Sequence, residues 1–201
     1  MSLTVSANSN SSFAPIEEGS HLGVCSMLID LGMQYSEVYK NSSRKVLIAW
    51  EIPDETIELD DGPHPRTISK RYTASLNESA NLRQDLAAWR GRDFTGEELE
   101  AFNLRNIVGK SCLINVIHKE SGGKTYANIQ SIMALPRGMK PGELSEPPVI
   151  YDIDEDPVEA VNNLPTWIKD IVTKSASYQE KLAAPPKFEV IEKENDGELP
   201  F

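Results

Sequence analysis

One helical block interrupts an otherwise strand-forming sequence, and its place in the order constrains the fold more than any single run does. Three strand-like runs precede it. The first covers His21 to Met33; the second, Arg44 to Ile52, sets Val46, Ile48, Trp50 and Ile52 on one face and closes at Pro53 and the acidic turn Asp60-Asp61-Gly62-Pro63. The third, Arg66 to Leu76, has a period of two, with Ile68, Tyr72, Ala74 and Leu76 on one side and Thr67, Ser69, Arg71, Thr73 and Ser75 on the other. Its second face is therefore wet, or bound. A helix follows, framed by Ser75 and Glu78 at capping-box spacing, by the stripe Leu82, Leu86 and Trp89, and by Gly91 as its stop. Thr95 with Glu98 forms a second capping box, and Phe94 and Leu99 occupy the positions of a hydrophobic staple. Lys110 to His118, with Cys112, Ile114 and Val116 inward, and Thr125 to Ala134 then make a hairpin around Ser121-Gly122-Gly123-Lys124.

This β-β-β-α-β-β order predicts a mostly β fold with α, namely a five-stranded OB-type barrel with its helix between strands three and four. An open α+β sandwich is the alternative. Proline is absent between Arg66 and Leu135, whereas eight of the thirteen prolines fall in residues 141–201, so the body is packed and the end is loose. A helix is predicted from Pro165 to about Lys181, with Pro165 in its first turn, and Trp167, Ile168, Ile171 and Val172 give it an apolar side for docking on the body. The chain thus divides into a flexible arm over 1–19, a binding domain over 20–140, an acidic, Pro-rich connector with that helix over 141–184, and a disordered acidic tail over 185–201.

Charge follows the same division. The formal net charge is −11, from 20 Lys+Arg against 31 Asp+Glu, and taken whole it argues against a polyanionic partner. By segment it does not. Residues 21–140 are neutral, with fifteen groups of each sign, and −9 belongs to residues 141–201. Across 64–92, Arg66, Lys70, Arg71, Arg83, Arg90 and Arg92 face only Glu78 and Asp85, a local +4. No apolar run approaches the roughly 20 residues of a membrane helix, and the first residues lack the pattern of a signal peptide, so a soluble protein is expected. Cys25 and Cys112 lie far apart and His21, His64 and His118 are scattered, which indicates neither a disulfide framework nor a zinc site.

The chain ends Glu192-Lys193-Glu194-Asn195-Asp196-Gly197-Glu198-Leu199-Pro200-Phe201, which resembles the acidic tip of bacterial and phage single-stranded DNA-binding proteins. A terminal aromatic with its free carboxylate offers a partner an apolar anchor and a fixed anion, and the acids before it steer approach to basic surfaces. The resemblance implies that Asp196, Glu198, Leu199, Pro200 and Phe201 bind replication and recombination proteins. Gly197 and Lys193 interrupt the acidic run, which implies weaker partner affinity than a continuous one. Ser69-Lys70-Arg71-Tyr72-Thr73-Ala74-Ser75-Leu76, with Leu86-Ala87-Ala88-Trp89-Arg90-Gly91-Arg92-Asp93-Phe94-Thr95 and Gly109-Lys110-Ser111-Cys112-Leu113-Ile114-Asn115-Val116, is similar to phage and prophage replication-associated proteins. That likeness covers about residues 20–135 and implies work in the cytoplasm of a bacterial host.

A site that holds a single strand without sequence preference needs cations for the backbone and aromatic faces for the bases. Lys70, Arg71, Arg90, Arg92 and Lys110 are the candidate cations, with Lys124 in the Gly-rich hairpin. Tyr126 is the leading aromatic, since it alternates with Asn128 and Gln130 while Ala127, Ile129 and Met133 take the core side. Tyr72 is a second candidate whose neighbours favour the core, and Trp50, Trp89 and Phe94 read as structural. The expected function is sequence-tolerant coating of single-stranded DNA with no enzymatic activity and no cofactor; possible homo-oligomerisation stays open. A replication adaptor with little DNA affinity is the alternative. A metal-dependent nuclease using Glu51, Asp54, Asp60 and Asp61 is the minor one, because those acids are more simply turn residues and no Walker loop, G-x-S-x-G or H-E-x-x-H is present.

Overall fold

The computed structural model of the chain describes residues 14–59 and 62–184, and within them the fold is mostly β. β1 (Gly19–Ser36), β2 (Asn41–Leu59) and β3 (Gly62–Thr73) form an antiparallel meander. The chain then crosses through α1 (Asn81–Arg90), α2 (Gly96–Glu100) and a 3₁₀ turn at Leu104–Ile107, and returns as β4 (Ser111–Ser121) beside β1. β5 (Lys124–Met133) pairs with β4, so the strand order is β3-β2-β1-β4-β5. A fourth strand that returns to lie beside the first is a Greek key, and the order matches the expectation. Closure does not. Among the described residues no ladder joins β3 to β5, so the sheet is open there, and α1 spans the gap instead. Leu82, Leu86 and Trp89 of α1 are buried, Trp89 Nε1 donates to the Ser111 carbonyl (2.9 Å), and Ala134 N–H donates to the Ala88 carbonyl (3.0 Å).

Two sequence-level expectations fail locally for identifiable reasons. The Ser75–Glu78 box does not cap α1, which begins at Asn81 with Ala80 as its N-cap, because the Ser75 hydroxyl accepts from Asn77 N–H (3.2 Å) and closes a turn before the helix. Thr95 and Glu98 do form their reciprocal box, whereas Leu99 is exposed and Phe94 packs edge-on against Phe102 (5.0 Å) rather than stapling it. Met133 faces outward and Ile132 inward, the reverse of the expected alternation. Val116 pairs with Ile129 while Asn115 pairs with Ser131, so one extra residue on β5 flips the face of everything after it. The hairpin before it is as read: Gly122 and Gly123 both have positive φ (57° and 74°), as a two-residue turn between paired Ser121 and Lys124 requires.

Bulges in β1 have a larger consequence. The register shifts between Cys25 and Met27 and again between Asp30 and Gly32, which lets one strand bury Cys25 and Leu28 on one side and Ile29 and Leu31 on the other. The sheet therefore has two cores. The inner one joins Trp50, Trp89, Ile48, Ile114 and Ile132 beneath α1, and it holds both cysteines as free thiols, with burial pushing Cys25 up to about 12. The outer one joins Ile29, Leu31 and Leu47 to the chain beyond residue 148. There the connector contributes a strand that periodicity did not reveal, β6 (Val149–Tyr151), parallel to Met27–Ile29. Two helices follow, α3 (Thr166–Thr173) and α4 (Ala176–Ala183), in place of the single one expected over 165–181. Ser175 breaks them: it is buried, lies against Gly32, and accepts from Tyr178 N–H (3.2 Å) as the cap of α4. Pro165 is the N-cap of α3 rather than a first-turn residue.

At the other end of the body, Ile16 is buried and His118 Nε2 lies 2.8 Å from the Ile16 carbonyl, so the last residues of the expected arm are pinned to the sheet. Among the described residues no helix is long and apolar enough to cross a membrane. Residues 1–13, the Asp60-Asp61 pair and the tail with Asp196, Glu198, Leu199, Pro200 and Phe201 lie outside the described residues.

Candidate nucleic-acid interface

β3 presents the face its alternation promised: Thr67, Ser69, Arg71 and Thr73 are all exposed, while Ile68 and Tyr72 point into the inner core. Register with β2 sets Lys45 opposite Thr73 and Leu47 opposite Arg71. Lys45 Nζ donates to Thr73 Oγ1 (2.7 Å), and α3, packed in the same outer core as Leu47, brings the Trp167 ring to 6.0 Å from the Arg71 guanidinium. A groove of about 540 Å³ runs beside these side chains, lined among others by Gln34, Tyr35, Lys45, Arg71 and Ile171. Ser79, Ala80 and Asn81, where the chain enters α1 without a side-chain cap, line it as well. Two cations, an exposed tyrosine and a helix start thus meet on one concave surface.

Among the six cations of the basic stretch, tertiary pairing separates one from the rest. Arg66 lies 3.8 Å from Glu55, Lys70 pairs with Asp85 (2.6 Å) and Arg83 with Asp93 (2.9 Å). Arg90 and Arg92 both bond Glu98, and Arg90 also stacks over Phe94 and Phe102 at 4.5 and 5.1 Å. Among the described residues, Arg71 is the one cation of this stretch with no carboxylate partner. The local +4 is therefore mostly spent inside the fold.

Tyr72 is removed as a stacking candidate. It is buried, and its hydroxyl donates to Asp85 Oδ2 (2.8 Å), with burial first and Asp85 second in pushing the phenol well above its usual range. Lys70 lies under the same arrangement, 5.3 Å from the Tyr72 ring centroid and bonded to the same carboxylate. Lys110 is exposed and shares with Arg90 and Glu98 a cavity of about 390 Å³ at the end of α1, apart from the β3 groove. Lys124 and Tyr126 are exposed on the β4–β5 hairpin, where Lys124 begins β5 and Asn128 donates to the Tyr126 carbonyl (3.1 Å). The predicted residues thus occupy a groove, a helix end, a hairpin and the core, not one patch.

Sequence reasoning missed Tyr35, Lys45, Trp167 and the tip Val38-Tyr39-Lys40. Val38 is 84% and Tyr39 78% exposed, and Lys40 is the described non-glycine residue with positive φ (49°). One signal was available. Tyr35 and Tyr39 fall between the two strand runs read from the sequence, at the end of β1 and in the hairpin tip after it, outside the core that could claim an aromatic ring.

Glu98 supplies a test of this pairing scheme. Hydrogen bonds from Arg92 first, then from Thr95 N–H and Arg90, hold its carboxyl at about 2 against an ordinary 4.5. A depressed value means that the stabilisation is complete above pH 4.5 and is lost as pH falls towards 2. The Glu98 side-chain carboxyl carbon, followed by NMR, is expected to titrate near 2; a midpoint at the ordinary value would show that Arg90 and Arg92 are not engaged there.

No protein-family model matches the chain, and no curated protein matches it.

Proposed function

We propose that this chain binds single-stranded DNA without sequence preference, as a replication or recombination protein of a phage or prophage, and recruits partner proteins through its acidic Leu-Pro-Phe end. The observation that carries the reading is Arg71: among the described residues it is the one cation of a basic stretch left without a carboxylate, and it faces outward with Lys45 and Tyr35 in a groove on the β2–β3 face, 6.0 Å from the Trp167 ring. That face and the flanking β1–β2 and β4–β5 hairpins are where five-stranded Greek-key barrels take oligonucleotides. The hairpins carry Tyr39 and Lys40 on one side and Lys124 and Tyr126 on the other. The net charge of −11 does not by itself oppose this function, since residues 21–140, which carry the β2–β3 face and both hairpins, are neutral overall.

Fluorescence anisotropy with labelled oligo-dT at two salt concentrations tests the proposal. Binding is expected to weaken with salt at a slope of about −0.7 in log–log terms per phosphate neutralised. Arg71→Ala is expected to lower affinity and to reduce that slope by about 0.7, with Lys110→Ala doing less because it lies outside the groove. Undetectable binding at micromolar protein and low salt would overturn the reading and favour an adaptor.

A further inference from the structure

The outer core leaves one of its own large side chains out. Ile168 and Val172 of α3 are fully buried and Ile171 packs against the same cluster, whereas Trp167 is 47% exposed. A helix that only covered a sheet would place its indole inward, where burying so large a ring is most favourable. Trp167 stands instead one helical turn before Ile171, which lines the β3 groove, and the Arg71 guanidinium, without a carboxylate partner among the described residues, lies 6.0 Å from its ring.

From this we infer that Trp167 is a base-stacking platform of the nucleic-acid site, so that the C-terminal helices form one wall of that site; the inference rests on the reading of the chain as a single-strand binder. The ligand class is a nucleobase with its neighbouring phosphate. A base stacks on any aromatic face regardless of sequence, and a guanidinium beside the ring neutralises the adjoining phosphate while it polarises the stack. Arg71 belongs to β3 and Trp167 to α3, so a nucleotide whose base stacks on the indole and whose phosphate meets the guanidinium bridges the sheet and the helical layer. Lys45 and Tyr35 continue the groove away from that point with a second cation and a second ring. Residues 149–184 are then required for binding itself and not only for stability.

The tryptophans make the test specific. Trp50 is 0% and Trp89 7% exposed, both in the inner core, so quenching of tryptophan emission by an unlabelled dT oligomer reports on Trp167. The full chain is titrated by emission and, in parallel, by anisotropy of a labelled oligomer. Saturable quenching with the same midpoint as the anisotropy change is expected. Trp167→Phe is expected to abolish the quenching while keeping affinity within about threefold, because a phenyl ring still stacks. Trp167→Ala is expected to weaken binding roughly 5- to 150-fold. Binding by anisotropy with unchanged emission, and with Trp167→Ala as tight as the parent, would overturn this inference while leaving the binding function standing. No binding by either readout would instead remove the function on which it rests.

Discussion

Replacing Asp30 by alanine is expected to destabilise the folded chain by about 3–5 kcal/mol, and to do so by releasing the C-terminal helices. The Asp30 side chain is 9% exposed on β1, where the strand passes under the helical layer. Its carboxylate accepts from Gly32 N–H (2.9 Å), from Arg44 Nε (3.2 Å) and Nη2 (2.5 Å), and from Ile153 N–H (3.4 Å). Arg44 in turn reaches Asp154 (2.6 Å), and the Lys181 ammonium of α4 donates to the Ile153 and Asp156 carbonyls. One carboxylate therefore ties β1 and β2 to the segment that carries β6 into the helices. Its removal leaves two N–H groups without their acceptor and a guanidinium half-released, and groups left without a partner cost more than the pairing itself contributes. Arg44 keeps Asp154 and some solvent, which places the loss towards the lower end of the range. Urea denaturation measures the total. Hydrogen exchange locates it: protection is expected to fall over 166–183 before it falls in β1 or β4. An unchanged urea midpoint would show that the cluster does not hold the layer. If Trp167 is part of the binding wall, the same variant also binds DNA more weakly.

Trp50→Ala is expected to cost a similar ~3–5 kcal/mol but to spread it through the whole sheet. Trp50 is fully buried on β2 and meets Trp89 of α1 at 5.7 Å with tilted rings. Because no ladder joins β3 to β5, α1 is the element that spans the gap, and Trp89 is its anchor through the Ser111 carbonyl. A cavity at Trp50 removes the surface on which that anchor rests. For a chain of this size each kcal/mol moves the melting temperature by roughly 2–4 °C, so a fall of about 6–20 °C is expected. Exchange protection should drop together in α1, β3 and β5, in contrast to the local release expected for Asp30→Ala. A melting temperature within about two degrees of the parent would show that the inner core refills around the missing indole.

Much of the fold was legible because it depends on neighbours along the chain. The stripe Leu82, Leu86, Trp89, the Thr95–Glu98 box, the Gly122-Gly123 turn and the outward row Thr67, Ser69, Arg71, Thr73 are all set by residues within four to seven positions of each other. The order of these elements sufficed for the Greek key. It did not suffice for closure, which needs β3 and β5 to meet edge to edge, nor for the outer core. Val149-Ile150-Tyr151 is too short to stand out from a Pro-rich connector, and its place beside Met27–Ile29 exists because β4 pairs with β1 only as far as Val24 and leaves that edge open.

The candidate site divides along the same line. Periodicity alone determined that Arg71 and Tyr126 face outward, since a strand alternates whatever packs on it. Which cations remain for a ligand was decided by the tertiary structure. Lys70 meets Asp85 fifteen positions away and Arg90 meets Glu98 eight positions away, and whether such pairs form depends on where a helix lands on a sheet. Trp167 is the extreme case, because its sequence neighbours made it a core residue and only the packing of α3 in the outer core leaves its ring beside Arg71. A side chain's type and period belong to the sequence; its availability depends on charges and surfaces that the chain brings together only once it is folded.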